Sequence, residues 1–128
     1  LKSLLLKINP YLDIQTDCVK VTEENIVDLL GDELIICEAF DRPEAKAMLV
    51  NGVLEKLHTK YLIAASGMAG FGSANSIQTR RITDRFYLCG DGISDVADDI
   101  GLVSSRVMIC GAHEAHMVLR ILSGQFEP

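Results

Sequence analysis

The run Leu34-Ile35-Ile36-Cys37-Glu38-Ala39-Phe40 constrains this chain more than any other stretch. It is mostly apolar and does not alternate with polar residues. A short run of that kind suits a strand covered on both faces, as in a parallel sheet with helices above and below. Asp41 follows directly. Asp41-Arg42-Pro43-Glu44 reads as a helix start, with Asp41 as N-cap, Pro43 in the first turn and Glu44 as the reciprocal partner. A carboxylate is therefore expected at the C-terminal end of a central strand. Open α/β sheets bind ligands outside those ends, so function is expected along this edge.

The flanking segments extend the same pattern. Leu1, Leu4, Leu5 and Ile8 fall on one helix face, already in phase at the first residue and without an N-cap, so the chain reads as a fragment that starts inside a helix. Residues 14–21 are rich in β-branched side chains but carry Asp17 and Lys20, which predicts a strand near a sheet edge. Thr22 is the expected N-cap of a short helix, with Glu23 and Glu24 in its first turn, Ile26, Leu29 and Leu30 inward and Gly31 as its C′ residue. Helical spacing returns over 43–57, and 61–66 reads as a second buried, parallel strand. The glycines at 67, 70 and 72 then allow positive φ or close backbone approach.

Segments 76–82 and 86–89, joined through Thr83-Asp84-Arg85, predict an antiparallel pair. Residues 91–99 read as an acidic solvated loop. The final helix is expected from Leu102 or Ser104 to Ser123, with Gly124 just past it, and Gly111, Ala112 and Ala115 would let it press on a neighbour. Alternating elements of this kind make an α/β sheet with right-handed crossovers, and 128 residues suffice for one domain.

Composition narrows the function. A net charge of −6 argues against a general nucleic-acid or membrane-surface binder, because each needs a basic face. Neither a membrane-length apolar run nor a signal peptide is present in the sequence given. The four cysteines are scattered without a C-x-x-C, which favours reduced, mostly buried thiols and a cytoplasmic setting. No strand–G-x-G-x-x-G–helix unit and no P-loop occur.

Several residues invite chemistry, each beside a plainer reading. Asp41 could hold Mg²⁺ with bound phosphates, or simply cap a helix. Glu38, inside an apolar run, needs solvent or a cation, and Arg42 is one candidate partner. His113 and His116 are three apart, which is not the H-E-x-x-H spacing of zinc proteases, so they and His58 read as polar surface. The loop 67–72 is G-x-x-G-x-G, a turn more readily than a phosphate cradle. Asp91, Asp95, Asp98 and Asp99 lack the frame of a calcium loop. Arg80 and Arg81 read as solvent-facing strand charges before an anion site, and no cysteine has the base that a nucleophile needs.

ELIICEAFDRPEAKAMLVNGVLE, KYLIAASGMAGFG and IGLVSSRVMICGAHEAHMVLRILSG together resemble the second half of the ThiF/MoeB/HesA family, bacterial relatives of ubiquitin-activating enzymes. The likeness covers essentially the whole chain and is greatest toward the shorter ThiF-type proteins of thiamine biosynthesis. Its most specific piece is the strand ending in Glu38-Ala39-Phe40-Asp41, followed by a helix with a basic residue and Asn51. The resemblance implies an incomplete Rossmann-like three-layer sheet of parallel strands plus an antiparallel pair, lacking the N-terminal Gly-rich βαβ unit. Residues 1–128 would then be the C-terminal portion of an adenylation domain.

By the same resemblance, the parent activates the Gly-Gly carboxylate of a ThiS-type ubiquitin-like sulfur carrier as acyl-AMP, using ATP and Mg²⁺. Asp41 corresponds to the family's Mg²⁺–ATP carboxylate, and Glu38, Ala39, Phe40 and Ala65 line the nucleotide-pocket rim. The family's catalytic and phosphate-neutralising residues precede this segment, so no catalytic residue is expected here and the chain alone should be inactive. Two departures stand out. Without CxxC pairs, and with only Cys89 in the relevant region, the family's structural zinc is doubtful; and 95–100 lacks the crossover-loop cysteine of larger members, arguing against covalent sulfur transfer. A homodimer is expected, because a sheet cut from its first βαβ units leaves an open edge. The alternatives are a dimerisation or carrier-docking module without catalysis and the second half of a nicotinamide-dependent dehydrogenase, which lacks a well-placed His or Tyr–Lys pair here.

Overall fold

In a computed structural model, which describes residues 1–94 and 101–128, the chain is an α/β protein built on an open four-stranded mixed sheet. Its elements are α1 (Lys2–Ile8), α2 (Ile26–Leu30), β1 (Ile35–Cys37), α3 (Pro43–Lys56), β2 (Tyr61–Ser66), a short 3₁₀ turn (Ala74–Ser76), β3 (Gln78–Arg81), β4 (Phe86–Gly90) and α4 (Ser104–Leu122). The spatial order is β1-β2-β4-β3. β1, β2 and β4 are parallel, with Ile36 opposite Leu62 and Leu62 opposite Phe86, and β3 runs antiparallel to β4.

Burial on both faces explains the apolar run of β2, whereas β1, expected to be a central strand, is three residues long and lies at the edge of the sheet, with Leu34 and Cys37 exposed. Leu62 and Ala64 of β2, with Ile36 and Phe86, pack against Ile26 of α2 and Leu49 and Val53 of α3. Ile63 of β2, with Tyr87 and Cys89 of β4, packs against Cys110, Met117 and Ile121 of α4. Successive strand residues point to opposite faces, and both faces here are covered, so β2 carries only apolar residues from Leu62 to Ala65. The strand over 61–66, the antiparallel pair, the helix over 43–57 and the last helix all form where the sequence places them. Gly124 follows α4 with φ +73, the left-handed conformation that ends a helix.

Other expectations need correction. Residues 14–21 form no strand; they are exposed apart from half-buried Ile14 and Val21, the latter packed against the α3-side core, and the Ile14 carbonyl accepts from Lys2 Nζ rather than from a sheet partner. Asp17 and Lys20 leave that segment too few apolar side chains to bury. Asn25, not Thr22, occupies the N-cap of α2; Thr22 opens the preceding turn, its N–H donating to Asn25 Oδ1. Gly31 keeps a right-handed φ of −62, so it is not a left-handed cap. The apolar side of α1 finds no core, and none of its residues is buried. Gly111, Ala112 and Ala115 face solvent rather than a neighbouring element.

Candidate functional site

Three parallel strands bring their C-terminal ends to one edge of the sheet, and the residues that follow them form that edge. After β1 the chain runs through Glu38 to Asp41. Asp41 is exposed, with no hydrogen bond to another described residue. It is not the helix cap: Arg42 holds that position in extended backbone, without a side-chain cap bond, and Pro43 occupies the first turn. Pro43 explains the displacement, since it drives the residue before it out of the helical region, and that residue is Arg42. Asp41 is left one step outside the helix with its carboxylate uncommitted.

Glu38 is committed. It is fully buried, accepts from the Phe40 amide at 2.5 Å, and pairs with Lys46 Nζ at 2.9 and 3.1 Å. The expected partner, Arg42, is replaced by Lys46, four residues on and therefore on the same face of α3, which turns toward the sheet. Ala39 is exposed beside the pair, whereas half-buried Phe40 packs into the α3-side core. Ala65 lies at the end of β2, paired with Cys89 and packed on the α4 side. Of the expected rim residues, Ala39 alone is exposed at the edge beside Asp41; Glu38 is spent on its ion pair.

A second carboxyl joins from the other face of the sheet. Glu114 of α4 is half-buried, and its Oε1 is buried without a hydrogen-bond partner among the described residues. Burial, then the negative charge of Glu38, push its pKa up to about 7, and Lys46 offsets part of this. Around it, burial and the Glu114 charge raise the Cys37 thiol to about 11 and the Cys110 thiol to about 12. Both stay protonated at neutral pH, so neither is a ready nucleophile. Cys37 is exposed and Cys89 and Cys110 are buried, which corrects the expectation of mostly buried thiols to two of four, since Cys18 is exposed too.

At the end of β4 stands the other buried charge. Asp91 is 6% exposed and Arg106 4%, and the two form an ion pair between Oδ2 and Nη2. Asp91 also accepts from the Ile93 and Ser94 amides at 3.0 Å and from Ser94 Oγ at 2.7 Å. Burial alone would raise its pKa, but the Ser94 hydroxyl, those two amides and the Arg106 charge outweigh it and hold the carboxyl below its ordinary range. Asp91 therefore anchors the turn rather than joining a solvated loop, while Asp95, Asp98 and Asp99 and the expectations resting on 95–100 lie outside the described residues. The glycines serve this anchor: at Gly67 (φ +69) a Cβ would collide with Asp91, and at Gly72 it would collide with the Arg106 guanidinium. The loop 67–72 is accordingly a packing device around Asp91–Arg106.

The remaining candidates resolve into structural roles. Arg80 donates to the Asp91 carbonyl at 3.3 Å, and Arg81 pairs with Glu127 at 2.7 Å. His113 Nδ1 lies 3.0 Å from Thr79 Oγ1, and His116 and His58 are exposed. A cleft of about 350 Å³ between β3 and α4, lined by Thr79, His113, His116 and Arg120 among others, does not reach Asp41. Among the described residues no group of three or more His, Cys, Asp or Glu could hold a metal ion, and no helix is long and apolar enough to cross a membrane.

Sequence reasoning missed Lys46, Glu114 and the Asp91–Arg106 pair. Arg106 did carry a signal, being the sole charged residue between Leu102 and Ala112. A lone charge in an apolar helical stretch needs a buried partner. Comparison with known proteins adds no identity: no family model, curated protein or solved structure matches this chain.

Proposed function

We propose that this chain is the C-terminal part of a ThiF-like adenylation domain, in which Asp41 holds the magnesium of a bound Mg²⁺–ATP. The reading rests on one observation: an uncommitted, exposed carboxylate stands at the mouth of a parallel strand, two residues before the first residue of a Pro-initiated helix. Mg²⁺ suits such a position, because it takes one or two carboxylates and fills its remaining sites with phosphate oxygens and water. The donor set fits a metal that arrives with its nucleotide. When bound, the ion would neutralise phosphate charge.

The chain's own residues supply the frame for that carboxylate. The buried Glu38–Lys46 pair ties the end of β1 to α3 and fixes the direction in which residues 39–42 leave the sheet. Ala39 has no long side chain to obstruct the mouth. Adenylation of a carrier's Gly-Gly carboxylate would require further basic groups, because a triphosphate and a carboxylate repel each other until aligned. A Gly-rich βαβ unit joined to this segment would bring them.

Carrier-dependent ATP–pyrophosphate exchange tests the proposal, measured on this segment joined to such a unit. Exchange that requires a Gly-Gly-ended carrier and disappears in Asp41→Ala supports it. Exchange indifferent to Asp41→Ala removes the metal role. Absence of exchange with an intact fold favours a docking or dimerisation module instead.

A further inference from the structure

The cleft between β3 and α4 is basic in an acidic chain. His113, His116 and Arg120 follow one another along α4 at steps of three and four, so they share one face of the helix and line the cleft together. The floor is apolar, from Ile77 (4% exposed) and Met117 (1%). No Asp or Glu lines it, although the chain carries a net charge of −6. Glu127 spends its carboxylate on Arg81, and Glu114 lies by the charges of Glu38 and Lys46 rather than in the cleft. Among the described residues, no carboxylate comes within ion-pair distance of either histidine or of Arg120.

Two of these groups are held in place. Thr79 stands opposite Cys89 in the β3–β4 pair, and its Oγ1 lies 3.0 Å from His113 Nδ1 and 3.5 Å from Cys89 Sγ. A hydroxyl both donates and accepts, so this link holds the ring in either tautomer and leaves Nε2 as the free nitrogen. Arg120 is gripped twice by the returning tail. Its Nε donates to the Glu127 carbonyl at 2.7 Å, and its own carbonyl accepts from the Gln125 amide at 2.8 Å. Both Nη groups remain without a hydrogen bond among the described residues. An arginine anchored through Nε offers an ordered pair of donors to an anion.

We infer that this cleft binds a small phosphate monoester, its phosphate between Arg120 and His116 and its ester group over Ile77 and Met117. The cleft does not reach Asp41, so the inference stands apart from the proposed adenylation. A carboxylate presents two oxygens in one plane, and the arginine donors alone satisfy it. A phosphate monoester presents three free oxygens around a tetrahedron, so it takes the guanidinium and an imidazole N–H together. The apolar floor accounts for the ester group, since a flat hydrocarbon ring laid on it leaves water. A cavity of about 350 Å³ stands at the lower end of ligand pockets, roughly 300–1,000 Å³, which suits a small ester.

Imidazole NMR signals test the inference, because the chain has three histidines and His58, which does not line the cleft, serves as internal control. Phenyl phosphate is added without metal at constant ionic strength and about pH 7.5, where a monoester with a second pKa of roughly 6 is mostly dianionic. His113 and His116 should shift along saturating curves while His58 stays still. Arg120→Met should weaken binding about tenfold or more, the worth of a charge-assisted hydrogen bond. His116→Ala, at an exposed helix position, should weaken it about threefold or more. Phenyl phosphate should bind more tightly than benzoate, which lacks the third oxygen, and than inorganic phosphate, which lacks the ring. An absence of shifts overturns the inference, as do shifts that never saturate or that His58 shares. Saturation indifferent to both substitutions places the ligand elsewhere and overturns it too. Equally tight benzoate overturns the assignment to phosphate, and equally tight inorganic phosphate overturns the assignment to an ester.

Discussion

Lys46 reaches back from the first turns of α3 to place its ammonium 2.9 Å from the carboxylate of Glu38, at the end of β1. Glu38 is fully buried whereas the Lys46 side chain is 29% exposed, so the pair has one dry end and one wet end. Removing the lysine strands a buried charge. Lys46→Met should therefore cost about 3–5 kcal/mol in urea unfolding at neutral pH, the usual penalty for breaking a buried pair from one side. Replacing both partners, in Glu38→Gln with Lys46→Met, should recover much of that loss.

Glu114 makes stability depend on pH in a direction opposite to most carboxylates. Its pKa in the folded chain is about 7, above the ordinary value, so the folded state binds its proton more tightly than the unfolded state does. The stability this provides is complete below the unfolded-state pKa and is lost as pH rises through about 7. Glu114→Gln should flatten that slope and raise stability at pH 8 by about 1–2 kcal/mol, after allowance for solvent screening. Unfolding midpoints at pH 5.5 and pH 8 (roughly 1 unit or more to either side of that titration) check it.

Asp91 has the reverse sign. Its folded-state pKa lies below the ordinary range, so its contribution is present above the unfolded-state pKa and lost as pH falls through the folded one. Asp91→Asn should remove part of the acid limb of the stability profile. It should also lower stability at neutral pH, because Arg106 would keep its charge without a counter-ion.

Gly72 and Arg106 should be energetically coupled. A Cβ at Gly72 would collide with the guanidinium. Gly72→Ala should cost about 1–3 kcal/mol by overpacking. The same substitution in an Arg106→Met background should cost measurably less, and a double-mutant cycle on unfolding free energies reads the difference.

Asp41 separates stability from function. It neither caps α3 nor bonds to another described residue, so Asp41→Ala should change stability by no more than about 0.5 kcal/mol, as for other surface sites. A larger loss would show that the carboxylate is structural. An unchanged melting curve alongside lost carrier-dependent exchange is the outcome that the proposed magnesium role requires.

Much of this architecture was legible in order along the chain. The run 61–66 announced a strand with both faces covered, because burial on two sides removes the polar alternation that a half-exposed strand shows. The run 34–40 reads the same way, yet it pairs only over Ile35–Cys37 and at the edge of the sheet, with Leu34 and Cys37 exposed. The helix over 43–57 and the helix closed by Gly124 were equally plain from spacing and punctuation. What failed was local preference without a partner: 14–21 has the composition of a strand, yet backbone pairing is a property of two segments, and among the described residues no strand pairs with it. The charges failed differently. Glu38 was recognisably in need of a cation, but Arg42 and Lys46 are both basic and both near, and only the turn of α3 decides between them. The Asp91–Arg106 pair joins residues 15 apart in sequence, and no periodicity connects them.

The last residues of the chain fold back to the opposite end of the sheet from Asp41. Tyr87 donates its hydroxyl to the Phe126 carbonyl at 2.7 Å, and the Phe126 ring stacks on Tyr61, the first residue of β2, at 5.7 Å. β2 is six residues long, so some 20 Å of strand, roughly, separates that clasp from the mouth. A fluorophore or affinity handle attached behind Pro128 would thus sit at the quiet pole of the molecule. It would report faithfully on whether the sheet is assembled, and stay silent about whatever visits the far rim.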